Sequence, residues 1–182
     1  EELGITVQVG EALINVPQHY PDKRLRLDVR RVGNWEGTPR GVEGQALAWV
    51  APEKLTRYPM PPADRPVVAM LLQPDRYLVT PEPGEDDAAW LAGLSAALES
   101  GITRVQLRAP VRSTKPGWRE LVAKAVTRCR RSKADVLLNA DIELADALGI
   151  GVHLRAAQLS TLSVRPLPPE RPVAASCHDL AE

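Results

Sequence analysis

The sequence predicts an α/β protein in two parts, because the order of β-prone and helical segments changes once along the chain. Up to residue 72, β-prone runs and loops dominate. From Arg76 onwards, apolar β-prone runs alternate with amphipathic helices, which is typical of a parallel sheet with helices packed outside it. The short polar segment Gln73-Pro74-Asp75 therefore predicts a boundary, with domains at residues 1–73 and 76–182.

The first part is predicted to consist mainly of strands. Its opening residues, up to Gly4, are typical of a helix end, because glycine suits the left-handed position that closes a helix. We therefore expect the chain to begin inside an element. Residues 25–32 alternate apolar and charged side chains, as a half-buried strand does. The other predicted elements are strands at 5–9, 12–16 and 46–50, a turn at 17–22, a loop at 35–41, the start of a short helix at 52–55 and a helix at 67–72.

The second part is predicted to hold five parallel strands. Five strands fit either a doubly wound sheet or part of a barrel. Because a closed eight-stranded barrel takes roughly 250 residues, residues 76–182 predict only part of one. The predicted strands are 77–80, 103–107, 134–138, 151–154 and 172–176, and the predicted helices are 85–100, 118–129, 142–148 and the start of one at 179–182.

The charge balance of the chain argues against a nucleic-acid-binding or membrane-surface protein. Its 23 basic and 23 acidic residues give no global field that would attract a polyanion, so a nucleotide would need a local site. No apolar run approaches the ~20 residues of a membrane span, and no signal peptide is visible. We expect a cytoplasmic protein in which Cys129 and Cys177 are reduced, buried thiols; the sequence does not predict the oligomeric state.

Acidic residues in the first part form a candidate metal site. Glu1 and Glu2 end the predicted helix, and Glu43 lies in the glycine-rich segment 41–45. Carboxylates brought together bind Mg²⁺ or Mn²⁺, ions that can bridge phosphates and activate water. From the spacing alone, a solvated surface pair at Glu1 and Glu2 is the alternative.

Residues 1–72 resemble the MutT-type Nudix hydrolases. The segments that carry the resemblance are Glu1-Glu2-Leu3-Gly4-Ile5, Tyr20-Pro21-Asp22, Trp35-Glu36-Gly37-Thr38-Pro39, Gly41-Val42-Glu43-Gly44-Gln45, Trp49 and Pro61-Pro62-Ala63-Asp64-Arg65-Pro66. The resemblance implies part of an α/β/α sandwich with a mixed sheet. It also implies an Mg²⁺- or Mn²⁺-dependent pyrophosphohydrolase acting on oxidised nucleoside triphosphates such as 8-oxo-dGTP.

The same resemblance assigns roles to individual residues. Glu1, Glu2 and Glu43 match metal-binding acids, and Glu43 is also a candidate catalytic base. Asp64 matches the residue that reads the purine edge, with Tyr20 and Asp22 as further nucleotide-binding residues. The family has Asn at the position of Asp64, and a carboxylate only accepts hydrogen bonds, so the nucleotide specificity stays open. The glycine, upstream glutamates and arginine of the family pattern would precede Glu1, so we expect no hydrolysis from this chain alone.

Polar residues of the second part follow the predicted strands, where parallel α/β folds place their sites. Arg108 could clamp a phosphate, and His178 could act as a general acid or base. As alternatives, Gln106 and Asn139 could satisfy backbone groups, and His178 could be a surface residue. His153 is expected to be a hydrogen-bonded core histidine. The full set is Gln106, Arg108, Asn139, His153, Arg155, Ser176 and His178.

Residues 76–182 resemble the TenI/thiamine-phosphate-synthase superfamily. The resemblance implies a (β/α)8 TIM barrel of which about five strands are present, and it implies thiazole phosphate or thiamine phosphate as ligands. The matching segments are Tyr77-Leu78-Val79-Thr80, residues 101–108, Leu138-Asn139, Ala147-Leu148-Gly149, Gly151-Val152-His153-Leu154 and residues 176–182.

Departures from the synthase pattern favour TenI, a thiazole tautomerase that needs no metal. Ala140 stands where synthases have Asp, Ala109 and Pro110 replace a lysine, and residues 154–159 lack an expected Asp. The segment Ser176-Cys177-His178 matches the Ser-x-His of TenI. This match implies that His178 transfers the proton, while Gln106, Arg108, Asn139 and Ser176 hold the ligand. The alternatives are a relative of the synthase and a non-catalytic module that binds a phosphorylated ligand or has a structural role.

Overall fold

The computed structural model of the chain describes residues 2–178. The chain divides into two compact units, residues 1–73 and residues 74–182. The division falls in the segment at which the sequence pattern changes. Within residues 2–178, no helix is both long and apolar enough to cross a membrane.

The first unit is built on a long antiparallel hairpin. Strand β1 covers Thr6–His19 and strand β2 covers Arg24–Glu36, with Val16 opposite Leu27. Two predictions for this hairpin are wrong. The predicted strands at 5–9 and 12–16 are one continuous strand, irregular in register between Val7 and Ile14. The turn starts after His19 instead of at residue 17, because Pro17 and Gln18 still pair with the opposite strand; this is possible for a proline on an edge strand.

The rest of the first unit contains little regular structure. A 3-10 helix covers Pro52–Arg57, and helix α1 covers Arg65–Leu71 and packs against β1. The predicted strand at 46–50 is wrong: these residues are β-prone but pair with no neighbour, and Trp49 is 82% exposed. In the described part of this unit, the hairpin is the only sheet, so it stands where the resemblance implied a mixed sheet.

The second unit is a five-stranded parallel sheet whose strand order follows the chain, β3-β4-β5-β6-β7. A doubly wound sheet reverses its order at a switch point, whereas a barrel wall adds each strand beside the previous one. The sequential order therefore confirms part of a TIM barrel. The strands are β3 Leu78–Val79, β4 Arg104–Leu107, β5 Asp135–Asn139, β6 Gly151–Leu154 and β7 Val173–Ala175.

Helices follow four of the strands of the second unit. Helix α2 covers Asp87–Glu99, α3 covers Trp118–Arg131, α4 covers Ile142–Ala147 and α5 covers Ala156–Leu159. The sequence did not predict α5, because a helix of 4 residues is too short to show a periodic pattern. The predicted helix at 179–182 lies outside the described residues.

The hydrophobic core of the second unit lies between the sheet and its helices. Val105 and Leu107 of β4 and Val122 of α3 are completely buried there. All six apolar positions predicted for α3 are buried, including Cys129, whose pKa is raised to about 11 by burial. Cys177 is exposed, so the expectation of a second buried thiol is wrong; it lies beyond the end of β7, where no helix covers it in the described chain.

Asp86 is expected to stabilise α2 as its N-cap. Its carboxylate accepts hydrogen bonds from the backbone N–H groups of Ala88 and Ala89, at 2.9 and 3.0 Å. Asp86→Ala should lower the free energy of unfolding by about 1 kcal/mol, measured by urea titration. Glu85→Ala, at an exposed neighbour that caps nothing, is the matched control. Equal effects of the two substitutions would contradict a capping role.

Candidate functional site

In the first unit, one glutamine side chain joins the start of the chain to the loop that carries Glu43. The side-chain oxygen of Gln45 accepts from the Glu43 N–H at 2.9 Å, and its Nε2 donates to the carbonyl of Glu2 at 3.0 Å. The N–H of Val42 donates to the same carbonyl at 3.1 Å. Two of the acids predicted to bind metal therefore lie on segments that are tied together, while Glu1 lies outside the described residues.

The glycine-rich pattern of this loop has a steric cause. A Cβ atom at Gly41 would overlap the backbone oxygen of Gln45, so the chain can close this turn only with glycine. Gly44 adopts φ +80°, a conformation that L side chains rarely adopt. The two glycines thereby allow Gln45 to fold back and reach both Glu43 and Glu2.

The structure does not bring all the predicted nucleotide-binding residues to this loop. Tyr20 and Asp22 form the hairpin turn, where the N–H of Tyr20 donates to the carbonyl of Lys23 at 2.8 Å. Glu2 adjoins the opposite, open end. A 14-residue strand at roughly 3.3 Å per residue puts about 40 Å of strand between the two ends. Tyr20 and Asp22 therefore lie at the turn end of the hairpin, while Glu2 and the loop of Glu43 lie at its open end.

Asp64 lies at the N-terminus of α1 and is half-buried. Its carbonyl accepts the first helical hydrogen bond, from Val68, but its carboxylate makes no capping bond. The carboxylate is thus available as an acceptor for a donor group outside the helix. This is the chemistry that reading the edge of a base requires.

The acidic side chains of the first unit have the oxygen donors that a hard divalent cation prefers, but the described residues do not gather them into a cluster. Glu2 and Glu43 supply carboxylate oxygens, the donors that Mg²⁺ and Mn²⁺ prefer. Residues 2–178 contain no cluster of three or more His, Cys, Asp or Glu side chains that could hold a metal ion. Within the described residues, the structure therefore ties together the backbone segments of two of the three predicted ligands and assembles no complete metal centre.

In the second unit, polar side chains meet on the concave face of the sheet. Val105 and Leu107 face the helices, so Gln106 between them faces the opposite side. Gln106 is only 5% exposed, and its Nε2 donates to the side-chain oxygen of Asn139 at 2.8 Å. These two predicted ligand-binding residues therefore hold each other on the face that forms the interior of a barrel.

His153 joins two further side chains on this face. Its Nδ1 lies 3.1 Å from the hydroxyl of Tyr77, and its Nε2 lies 3.1 Å from the hydroxyl of Ser176. Burial lowers the pKa of His153 below the ordinary value of 6.5, and burial raises the pKa of Tyr77 to about 12. Both groups are therefore neutral near pH 7. His153 is hydrogen-bonded, as the sequence predicted, but it is half-buried and lies outside the hydrophobic core. Tyr77 was not recognised as a member of this site.

Arg108 directly follows β4, and His178 lies three residues beyond β7, so both lie past the C-terminal ends of strands. Both side chains are exposed, and His178 follows Ser176 by two residues. The buried Thr80 fixes the backbone of Arg108: its hydroxyl accepts from the Arg108 N–H at 3.0 Å and lies 3.3 Å from the Arg108 carbonyl. The guanidinium of Arg108 forms no ion pair with a described residue, so it can meet an anion. Sequence reasoning missed Thr80, whose signal is its place directly after β3.

Glu82, which the sequence analysis did not identify, connects the two loops beside Arg108. Glu82 accepts hydrogen bonds from the backbone N–H groups of Val111 and Arg112, at 3.3 and 2.6 Å. Arg112 in turn pairs with Asp87 at 3.2 Å. The loop after β3 is thereby tied to the loop after β4, the two loops that border Thr80 and Arg108. The signal in the sequence was an acid three residues beyond the end of β3.

Comparison with known proteins finds one matching family and several similar proteins. Residues 76–182 match the thiamine monophosphate synthase family, TMP-TENI. The CTP pyrophosphohydrolase of Escherichia coli K12 is 37% identical over 68 residues, which cover 37% of this chain and 50% of that protein. The 8-oxo-dGTP diphosphatase of the same organism is 38% identical over 71 residues, covering 39% and 55%.

A third relative is matched across most of the chain. The thiamine-phosphate synthase of Xylella fastidiosa 9a5c is 30% identical over 159 residues, which cover 86% of this chain and 61% of that protein. The chain thus spans about half the length of the two pyrophosphatase relatives and less than two thirds of the synthase. It is similar to Nudix-type hydrolases over a short stretch, and through residues 76–182 it belongs to the thiamine monophosphate synthase (TMP-TENI) family.

Proposed function

We propose that the first unit serves a Nudix pyrophosphohydrolase that cleaves nucleoside triphosphates, with oxidised nucleotides such as 8-oxo-dGTP as the first candidates. The observation that carries this proposal is the Gln45 side chain, which holds the loop of Glu43 against the backbone of Glu2. The two relatives named as a CTP pyrophosphohydrolase and an 8-oxo-dGTP diphosphatase support it.

The carboxylates of Glu1, Glu2 and Glu43 would hold Mg²⁺ or Mn²⁺. When bound, such an ion neutralises phosphate charge and makes water more acidic. Glu43 has a second possible role as the base that takes a proton from the attacking water. Gln45 orients Glu43 through its backbone N–H, which leaves the carboxylate exposed for either role.

The base specificity rests on Asp64 in this proposal. A carboxylate accepts hydrogen bonds, so it suits the amino group of cytosine or the N–H edge of a guanine derivative. The test is to incubate the complete gene product and the 182-residue chain, each with Mg²⁺, with 8-oxo-dGTP, dGTP and CTP. Release of pyrophosphate and a nucleoside monophosphate is expected from the complete product. Release of none, or of single phosphates, would contradict the proposal.

We propose that the second unit is a TenI-like module of thiamine metabolism that binds a thiazole phosphate or thiamine phosphate on its concave face. The paired Gln106 and Asn139 favour this function, and so does Ser176 beside His153, because these side chains place polar groups on the concave face of the sheet. Arg108 would bind the phosphate, and His178 would move the proton in a thiazole tautomerisation, with no metal required.

Calorimetry with thiazole phosphate and thiamine phosphate tests the second function. Arg108→Ala should weaken binding at least about tenfold, because a charge-assisted contact with phosphate is lost. Arg119→Ala, an exposed arginine on the outer helix α3, should leave binding unchanged.

Turnover separates the two forms of the second function. Loss of thiazole isomerisation in His178→Ala with binding retained supports the tautomerase. Binding without turnover in the unmodified chain indicates a non-catalytic ligand-binding module. Absence of binding contradicts both forms.

A further inference from the structure

Three hydrogen-bonded side chains form a network across the concave face of the second unit. Tyr77 directly precedes β3 at one edge of the sheet, His153 lies on β6, and Ser176 directly follows β7 at the other edge. Strands β4 and β5 separate β3 from β6. The contact between Tyr77 and His153 therefore spans the concavity, with the ring centroids 6.0 Å apart and the planes tilted by 33°.

The neutral imidazole allows two hydrogen-bonding arrangements of this network. In the first, the Tyr77 hydroxyl donates to Nδ1, the Nε2–H donates to the oxygen of Ser176, and the Ser176 proton is left over. In the second, Ser176 donates to Nε2, the Nδ1–H donates to the phenol oxygen, and the Tyr77 proton is left over. Both satisfy the two distances of 3.1 Å, so they differ in where the unused proton lies.

Donor strength favours the first arrangement. A phenol is a stronger acid than an alkyl hydroxyl, so it forms the stronger hydrogen bond to an imidazole nitrogen. The leftover proton then lies on Ser176, which is exposed and can be hydrated or meet a ligand. In the second arrangement, it would lie on Tyr77, which is also exposed, at 37%, so exposure does not distinguish the two arrangements.

We propose that Tyr77 and His153 are positioning residues that act through Ser176. The phenol fixes the imidazole as the Nε2–H tautomer, and the imidazole fixes the Ser176 oxygen as an acceptor. The Ser176 hydroxyl proton then points outward, as a donor to a phosphate oxygen of the ligand. This inference rests on the proposed ligand-binding function of the second unit. It adds Tyr77 and His153, which act on the ligand only through Ser176.

The tautomer can be measured without any ligand. In the ¹⁵N-labelled 182-residue chain at about pH 7.5, above the lowered pKa of His153, long-range ¹H–¹⁵N correlation should show a bare Nδ1 and a protonated Nε2. His153→Asn identifies the signals among the three histidines. Tyr77→Phe should shift the Nδ1 resonance, and Tyr58→Phe, at an exposed tyrosine of the first unit, should not. A protonated Nδ1, or an unchanged Nδ1 in Tyr77→Phe, overturns the proposal.

A double-mutant cycle on binding separates positioning from a merely structural role. With thiamine phosphate as the probe, Tyr77→Phe and Ser176→Ala should each weaken binding about three- to tenfold, the effect of one hydrogen bond. In the Ser176→Ala background, Tyr77→Phe should have no further effect, because it acts through Ser176. Additive losses overturn the positioning role. If the unmodified protein binds neither thiamine phosphate nor inorganic phosphate, the proposed function of the second unit is contradicted. The tautomer measurement still decides the direction of the hydrogen bonds among Tyr77, His153 and Ser176.

Discussion

Replacing Glu43 by Gln is expected to lower Mg²⁺-dependent cleavage of the nucleotide substrate by at least about a hundredfold, whichever role the carboxylate has. As a general base it would contribute roughly 10²–10⁴ in rate, and as a metal ligand it would supply charge that an amide lacks. The loop should keep its shape, because Gln45 contacts the backbone N–H of residue 43 and not its side chain. The measurement is pyrophosphate release by the complete gene product at saturating nucleotide.

Two variants make this result specific. Glu53→Gln removes one exposed carboxylate of the same unit outside the loop and should leave the rate unchanged. Gln45→Ala removes both hydrogen bonds that tie Glu43 to Glu2 and should lower the rate less than Glu43→Gln, by about tenfold, because the carboxylate remains but is less well placed. If the Glu43→Gln protein keeps half of its activity and an unchanged melting temperature, Glu43 does not belong to the site.

The barrel strands were predictable because each is encoded locally. The apolar run around Val136 and the helical spacing from Trp118 to Cys129 are local patterns, and both elements formed where they were expected. Strand order could not be read from such patterns, because it depends on contacts between segments. The parallel register that pairs Val105 with Val136 joins segments far apart along the chain.

The failed strand at 46–50 shows the limit of local patterns. Its composition is β-prone, but β-propensity reflects packing against a neighbouring strand more than a preference of the backbone. In the described structure no strand lies beside it, and Trp49 instead stacks with Trp35 at a centroid distance of 5.7 Å. The segment therefore remained irregular.

The candidate sites were predictable as residue types and not as assemblies. Gln106 and Asn139 were identified by their positions on strands, and the structure adds that they bond to each other. The contact from Tyr77 to His153 joins residues 76 apart in sequence, and no spacing rule points to it. Tyr20 and Glu43 were grouped by resemblance, whereas the length of the hairpin separates them. Long-range geometry decided each of these cases.

Replacing Leu107 by Ala is expected to cost the second unit about 2–5 kcal/mol of unfolding free energy, the range for a buried leucine. Leu107 has no exposed surface and lies in the core between the central strands and the helices. Truncation removes the burial of its side chain and leaves a cavity that the rigid sheet cannot close. Urea unfolding can be followed by tryptophan emission, because Trp90 and Trp118 lie in the same core and contact each other edge to face.

The control for this prediction is Val164→Ala, at a residue that is 74% exposed in the same unit. It should change the unfolding free energy by no more than about 0.5 kcal/mol. Leu137→Ala adds a comparison across the sheet, because Leu137 is 1% exposed yet lies outside the cluster packed by the helices. If Leu107→Ala costs less than about 1 kcal/mol while Leu137→Ala costs several, the stabilising core lies on the concave face. The assignment of that face to ligand binding would then be wrong.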